Sequence, residues 1–439
     1  MTNKKPPALL GPWMCLTLVV GNMIGSGVFL LPASLAPFGW NAVFGWIVTI
    51  AGGMALAWVF AKLAEVVPQA GGPYAYTRAA FGPFAAFIVA WSYWVSLWVG
   101  NGAICVGGVA YFSVFAPELM AKPGMPALVT GAILWGLTAV NCLGVRAAGR
   151  LQLATTILKL FPLIAVVVIA ALRLMREGTG IILPLDASVI SLPAIGGATT
   201  LTLWGLLGLE SATVPSTKVR DPQKVIPRAT MLGTAATGVI YLFVCSAVTL
   251  LSDPAATAKS EAPIADFVAT LLGPGSGLIV ALFAAISAFG ALNGWVMLQG
   301  EMPWAMACDG VFPRFLAKSS SRGTPVRAHI LSSCLASVVL LSNYTRSAGD
   351  FFTFAVLIAT TAVLVAYAVC AVALLRLAAV GRMTAGPWLK LVAVLGAVYA
   401  LWAIWGAGLE ADLWGLALLI AGIPVYIAGR RSETAHQPA

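Results

Sequence analysis

Charge is what this chain has least of. Asp, Glu, Lys and Arg make up 9% of its 439 residues, about a third of what a soluble domain carries, so a water-facing globular surface is excluded. Histidine is nearly absent, occurring only as His329 and His436, which leaves too few imidazoles for a histidine metal site or a Ser-His-Asp hydrolase. The seven cysteines (Cys15, Cys105, Cys142, Cys245, Cys308, Cys334, Cys370) stand singly in apolar stretches without a CxxC pair. That spacing argues against zinc or redox chemistry and leaves them as small core residues. A soluble domain is also missing, because the polar stretches at residues 173–191, 252–263 and 314–327 are loop-sized and the last ten residues read as a short disordered tail.

What fills the chain instead is apolar sequence: 60% hydrophobic residues and a mean hydropathy of +0.95. Residues 6–61, 56 in all, carry no charge, room for two helical spans of about 20 residues each. Similar runs continue to residue 430 and add up to about twelve spans in an all-α polytopic membrane protein, counting one that tolerates Lys159 in its interior. The apolar run behind the basic amino terminus is too long for a cleavable signal peptide.

The net charge of +10 needs no nucleic-acid partner. If both termini are cytoplasmic and the spans alternate, outer loops hold only Lys122, Arg173, Arg176, Lys259 and Arg346 of the 25 basic residues. The others, Lys218, Arg220, Lys224 and Arg228 among them, fall on the inner side, which is the positive-inside signature of a cytoplasmic-membrane protein. The loop from Lys218 to Arg228 reads as a determinant of topology, and Glu301 and Asp309 read as solvated groups at the inner end of their span.

Two spans are spoiled as helices. The first contains GNMIGSGVFLLP, residues 21–32, and the sixth contains LWGLLGLESATVP, residues 203–215. Glycine weakens a helix, and freed backbone groups inside a membrane are tolerated only against protein, a ligand or a water-lined cavity. Packing of small residues explains either stretch alone. Paired interruptions five spans apart point instead to two inverted repeats with a central binding site. A half-helix starting near Ser26 and Gly27 offers amides to a carboxylate, and freed carbonyls near Trp204 to Gly208 accept from an ammonium. An α-amino acid carries both groups. Glu210, at a cost of at least ~2.5 kcal/mol within a span, reads as part of an ion or proton pathway.

GNMIGSGVFLLP, AGGPYAYTRAAFGPF (70–84), YWVSLWVGN (93–101), LWGLLGLES and GWVMLQGEMPWAMACDGVFP (294–313) together resemble the amino acid, polyamine and organocation transporter superfamily. Within it they are most similar to the bacterial arginine/agmatine, lysine/cadaverine and ornithine/putrescine antiporters. The resemblance spans nearly the whole chain. It implies a leucine-transporter-type fold with helices 1 and 6 broken, repeats at about 8–176 and 190–378, two further helices at about 386–430, alternating access and substrate exchange. Position by position, it implies that Ser26 and Gly27 bind the carboxylate and that the carbonyls of Met23, Trp204 and Leu207 take the α-ammonium. It also puts Ser96, Leu97 and Asn101 beside the substrate side chain, with Trp295 as its aromatic platform. Tyr93, Glu210 and Tyr367 match an inner gate and Tyr74 an outer one.

The pattern is not complete. Met23 and Ile24 stand in reversed order, Leu97 removes a small polar contact, and a serine near the substrate cation is replaced by Ala359, with Thr360 adjacent. These departures weigh against arginine itself more than against a cationic amino acid and its amine. A neutral amino acid permease or exporter of the same fold is the alternative that Leu97 and Ala359 favour. A receptor that has lost transport is a second, and lipid-embedded enzyme chemistry a distant third, because no cluster of nucleophile, base and orienting group is evident. No cofactor or metal is implied; the expected partners are small amino acids and amines, the bilayer and a second copy of the chain. Apart from the resemblance, Trp295 reads as one of 15 tryptophans and Asn101 as an interhelical hydrogen-bonding amide.

Overall fold

A computed structural model describes residues 10–260, 262–273, 275–342, 348–407 and 409–434. The elements in chain order are α1 (Pro12–Met23), α2 (Gly27–Leu35), α3 (Trp40–Val66), α4 (Pro73–Phe81), α5 (Pro83–Ser113), α6 (Pro117–Met120), α7 (Met125–Cys142) and α8 (Val145–Glu177). They continue with α9 (Leu192–Leu203), α10 (Pro222–Leu251), α11 (Pro254–Lys259), α12 (Pro263–Leu272), α13 (Ser276–Cys308), α14 (Val326–Ser342), α15 (Ala348–Ala379), α16 (Pro387–Ala407) and α17 (Leu409–Thr434). Proline opens many of them, at a position where its missing N–H costs nothing. Gly72 and Gly82 bracket α4 at φ 45° and 86°, backbone that a side chain would strain.

Among the described residues, nine helical segments are long and apolar enough to cross a membrane, and shorter apolar helices include Val326–Leu341 and Asp412–Ile427. The only β pairing there is an isolated bridge between Leu10 and Val219. The outer surface is itself apolar, with Phe161, Ile164, Leu395 and Leu401 facing outward. An all-helical chain with that surface is a polytopic membrane protein.

The broken segment α1–α2 runs through the interior, packed against α8, α10 and α13, while α5 packs on α13 and α15. The helices α16 and α17 lie outside this set, on α3, α5 and α15. Close approach depends on small residues: at Gly45 an added Cβ would meet Ala198 Cβ at 2.8 Å and the backbone of Ala198 and Thr199 at 3.1 Å. In that same crossing Thr49 Oγ1 lies 2.6 Å from Thr202 Oγ1.

Several expectations are corrected here. Cys308 and Cys334 are exposed and Cys142 half-buried, so only Cys15, Cys105, Cys245 and Cys370 are core residues. His329 is buried. The last turns of α17 extend to Thr434, so the expected tail is partly helical; Arg346 and His436 lie outside the described residues.

The crossing at Gly45 yields a test. Gly45→Leu forces α3 away from backbone that cannot move aside and should cost at least 1–3 kcal/mol, the usual range for overpacking. Gly136, with open space around its Cα, should accept alanine without loss. Thermal unfolding of the two purified variants checks this, and equal midpoints would show that the α3–α9 crossing is not close-packed.

Candidate functional site

The helix breaks after Met23: Ile24 turns extended, with ψ 92°, and α2 begins at Gly27 with no side-chain cap at Ser26. The carbonyls around the break are all met by side chains. Lys159 Nζ, from α8, donates to Gly21 O at 2.9 Å and Ile24 O at 2.5 Å. Trp295 Nε1 donates to Asn22 O at 3.1 Å, Tyr241 Oη to Met23 O at 2.8 Å and Ser287 Oγ to Gly25 O at 3.0 Å. The first amides of α2 have no such partner within the helix, because a helix leaves its first N–H groups free. Unwinding is thus satisfied on its acceptor side by protein and left open on its donor side, which suits an anionic group.

The second interruption is longer. A single 3-10 turn, Trp204–Leu206, follows α9, then Leu207 is extended and Gly208 takes φ 110°. Turns continue to Pro215 before α10 starts at Pro222.

Between the breaks is a cavity of about 40 Å³ lined by Met23, Ser26, Gly27, Ser96, Leu97, Asn101, Trp204, Leu207, Trp295 and Ala359, ten of the expected substrate-site residues. Thr360 is not among the lining residues. Asn22, Gly25, Gly100, Ile104, Gly205, Tyr241 and Val363 complete it. A volume of this size holds about three water molecules, so the helices have to part to admit an amino acid. The Met23 carbonyl already accepts from Tyr241 Oη and from Gly25 N, so an ammonium there has to share or displace those donors. The hydroxyl of Ser96 donates to Tyr93 O at 2.6 Å, and Asn101 donates to Gln299 Oε1 at 2.7 Å while its own Oδ1 has no partner.

Tyr93, Glu210 and Tyr367 do meet. Tyr93 Oη donates to Glu210 Oε1 at 2.5 Å, Tyr367 Oη donates to Glu210 Oε2, and Gly208 N donates to Tyr367 Oη at 3.1 Å. All three side chains are buried. Tyr74 is not among the cavity-lining residues. It lies on α4, in the connection between α3 and α5, where Gly71 N donates to Val214 O at 2.9 Å. That is the face carrying the amino-terminal Leu10, which pairs with Lys218 and Arg220 through its backbone.

Three polar groups were undervalued by sequence reasoning. Lys159 was counted as a tolerated charge, although a lone cation inside a span is itself a signal. Lys218 and Glu301 are both buried and paired, and Lys218 Nζ stands 5.0 Å from the Trp304 ring centroid. Neither is a solvated interfacial charge. Asp309 pairs with Arg78 at the partly exposed end of α13.

The family model described as amino acid permease matches residues 10–422. A cadaverine/lysine antiporter of Escherichia coli (strain K12) is 33% identical over 436 residues, with 97% of this chain and 95% of that protein covered. A putative arginine/ornithine antiporter of Bacillus subtilis (strain 168) is 32% identical over 452 residues, with 95% and 96% covered. The putrescine transporter PotE of Escherichia coli (strain K12) is 28% identical over 418 residues, with 93% of each covered.

Two outcomes are expected from this geometry. An added Cβ at Gly27 would meet the Trp204 indole at 2.8 Å, so Gly27→Val should abolish ligand binding while the protein still purifies as a folded membrane protein; normal binding would make the motif a packing feature only. Glu210→Gln keeps the volume but cannot titrate and offers one acceptor to two tyrosines, so transport should lose its dependence on pH and slow. Superimposable pH profiles of variant and parent would leave Glu210 as a purely structural hydrogen-bonding group.

Proposed function

Because the chain belongs to the amino acid permease family, we propose that it exchanges a cationic amino acid of the arginine, lysine or ornithine type for its decarboxylated amine by alternating access. The observation that carries this reading is the pairing of chemistries in one cavity. Open amides at the start of α2 suit a carboxylate, and the Trp295 ring together with the unpartnered Asn101 oxygen suits a cation. No Asp or Glu lines that cavity, and an aromatic face plus a carboxamide oxygen holds a cation without one. The relatives named for cadaverine/lysine and arginine/ornithine exchange support the same substrate class. The fold proposed for this activity has ten spans in two inverted five-helix repeats followed by two further spans, with both termini cytoplasmic by the distribution of basic residues. The protein in this reading is a carrier and not an enzyme, resident in the bacterial cytoplasmic membrane.

The apolar Leu97 and Ala359 in the lining favour a second reading, a permease or exporter of neutral amino acids.

Trp295 separates the two. Its Nε1 bond to Asn22 O is lost in both Trp295→Phe and Trp295→Leu, so the comparison between those variants isolates the ring face. A desolvated cation over an aromatic ring gains about 2 kcal/mol, and 1.4 kcal/mol is tenfold in affinity. Trp295→Leu should therefore weaken a cationic amino acid more than tenfold beyond its effect on a neutral one of similar length, with Trp295→Phe in between. Paired binding of lysine and norleucine to the three proteins measures this, and equal losses for both ligands would favour the neutral substrate.

A further inference from the structure

Behind Asn101, away from the cavity, a chain of hydrogen bonds crosses four helices. Asn101 Nδ2 (α5) lies 2.7 Å from Gln299 Oε1 (α13), Gln299 Nε2 2.9 Å from Ser333 Oγ (α14), Ser333 Oγ 2.7 Å from Thr138 Oγ1 (α7), and Thr138 Oγ1 2.8 Å from the carbonyl of Leu134. The side chains of Asn101, Gln299, Ser333 and Thr138 are all buried, so their polar atoms draw on one another for partners.

The order of donors along this chain follows from counting hydrogens. The Leu134 carbonyl can only accept, so Thr138 spends its hydroxyl hydrogen there. Ser333 then donates to Thr138 and accepts from Gln299, which must turn its NH2 toward Ser333 and its oxygen toward Asn101. Asn101 donates in turn and its Oδ1 is left without a partner, on a residue that lines the cavity. Reversing both amides leaves the 2.8 Å contact between Thr138 and Leu134 without a hydrogen, so three bonds are made instead of four. The Asn101 oxygen is 1% exposed as a residue and has no partner, an acceptor held in place and unsatisfied.

We propose that Gln299 is a positioning residue that fixes Asn101 as a hydrogen-bond acceptor, so that the site selects a substrate side chain ending in an N–H or O–H donor. The inference rests on the reading of this cavity as the substrate site, and it goes beyond it in one respect: it states the required polarity at the substrate's far end, independent of charge. An ammonium or guanidinium satisfies the acceptor, whereas a methyl or carboxylate terminus leaves it unpaired or repels it. Trp295 lies one helical turn from Gln299 on α13, so the ring that covers the substrate and the amide that sets its polarity share one rigid element.

The test compares three ligands of equal length, lysine, 6-hydroxynorleucine and norleucine, binding to the full-length protein in lipid nanodiscs. The parent should prefer lysine over norleucine by at least tenfold and 6-hydroxynorleucine over norleucine by several-fold. Ser333→Ala and Gln299→Leu, on different helices, free the Asn101 amide to turn over, and each should reduce both preferences at least threefold. Gln299→Glu still offers Asn101 an acceptor and should keep the preference for 6-hydroxynorleucine. A parent that binds norleucine as tightly as 6-hydroxynorleucine would overturn the inference, as would parental ratios in both Ser333→Ala and Gln299→Leu. A parent that favours 6-hydroxynorleucine but not lysine over norleucine supports the polarity relay and rejects the cationic substrate instead.

Discussion

Five consecutive carbonyls, from Gly21 to Gly25, have lost their regular helical surroundings in the middle of an apolar protein, and each accepts a hydrogen from a side chain. The donors, Lys159, Trp295, Tyr241 and Ser287, come from α8, α13 and α10. A buried backbone carbonyl without a partner is costly, so the interruption exists only because three other helices carry the right group at the right depth. Much of the architecture is organised around meeting that demand. It explains why a lysine is kept deep within α8 and why small residues at the α1 crossings let their neighbours come close: at Gly21 an added Cβ would fall 2.2 Å from Gln152 Nε2. The break is a shared property of four helices, and the binding cavity is its by-product.

Buried polar contacts also hold the irregular stretch after α9. Glu210, in the irregular stretch after α9, holds Tyr93 of α5 and Tyr367 of α15. One layer further in, Lys218 at the end of the same stretch pairs with Glu301 of α13, and its carbonyl receives the amide of Leu10 ahead of α1. The irregular segment is therefore tied to α5, α15 and α13 by buried polar contacts.

Much of this was legible beforehand because it depends on composition and on local pattern. Uncharged runs longer than a bilayer is thick leave helices as the way to satisfy the backbone, and glycine with polar residues in two such runs marks where the helix is given up. Ser26, Gly27, Asn101, Trp204 and Trp295 converge as the motifs implied. Tyr74 is not among the residues that line the cavity, and a motif match alone does not fix where a connecting helix packs. Glu301 and Lys218 were undervalued for a related reason: a charge near a helix end is solvated or buried depending on what packs over it, and their distance of 83 residues in the chain hides the pair.

The sequence by itself determined that the chain spans a membrane many times, that two spans are interrupted, and that a family of amino acid carriers shares its motifs. Each of these follows from residue type and order along one segment. Only the tertiary structure decided which donors answer the carbonyls of residues 21–25, that Asn101 donates to Gln299, and that Lys218 meets Glu301. Those outcomes depend on contacts between helices far apart in the chain, where the direction of one hydroxyl or amide hydrogen is set by its neighbours and by nothing in its own local sequence.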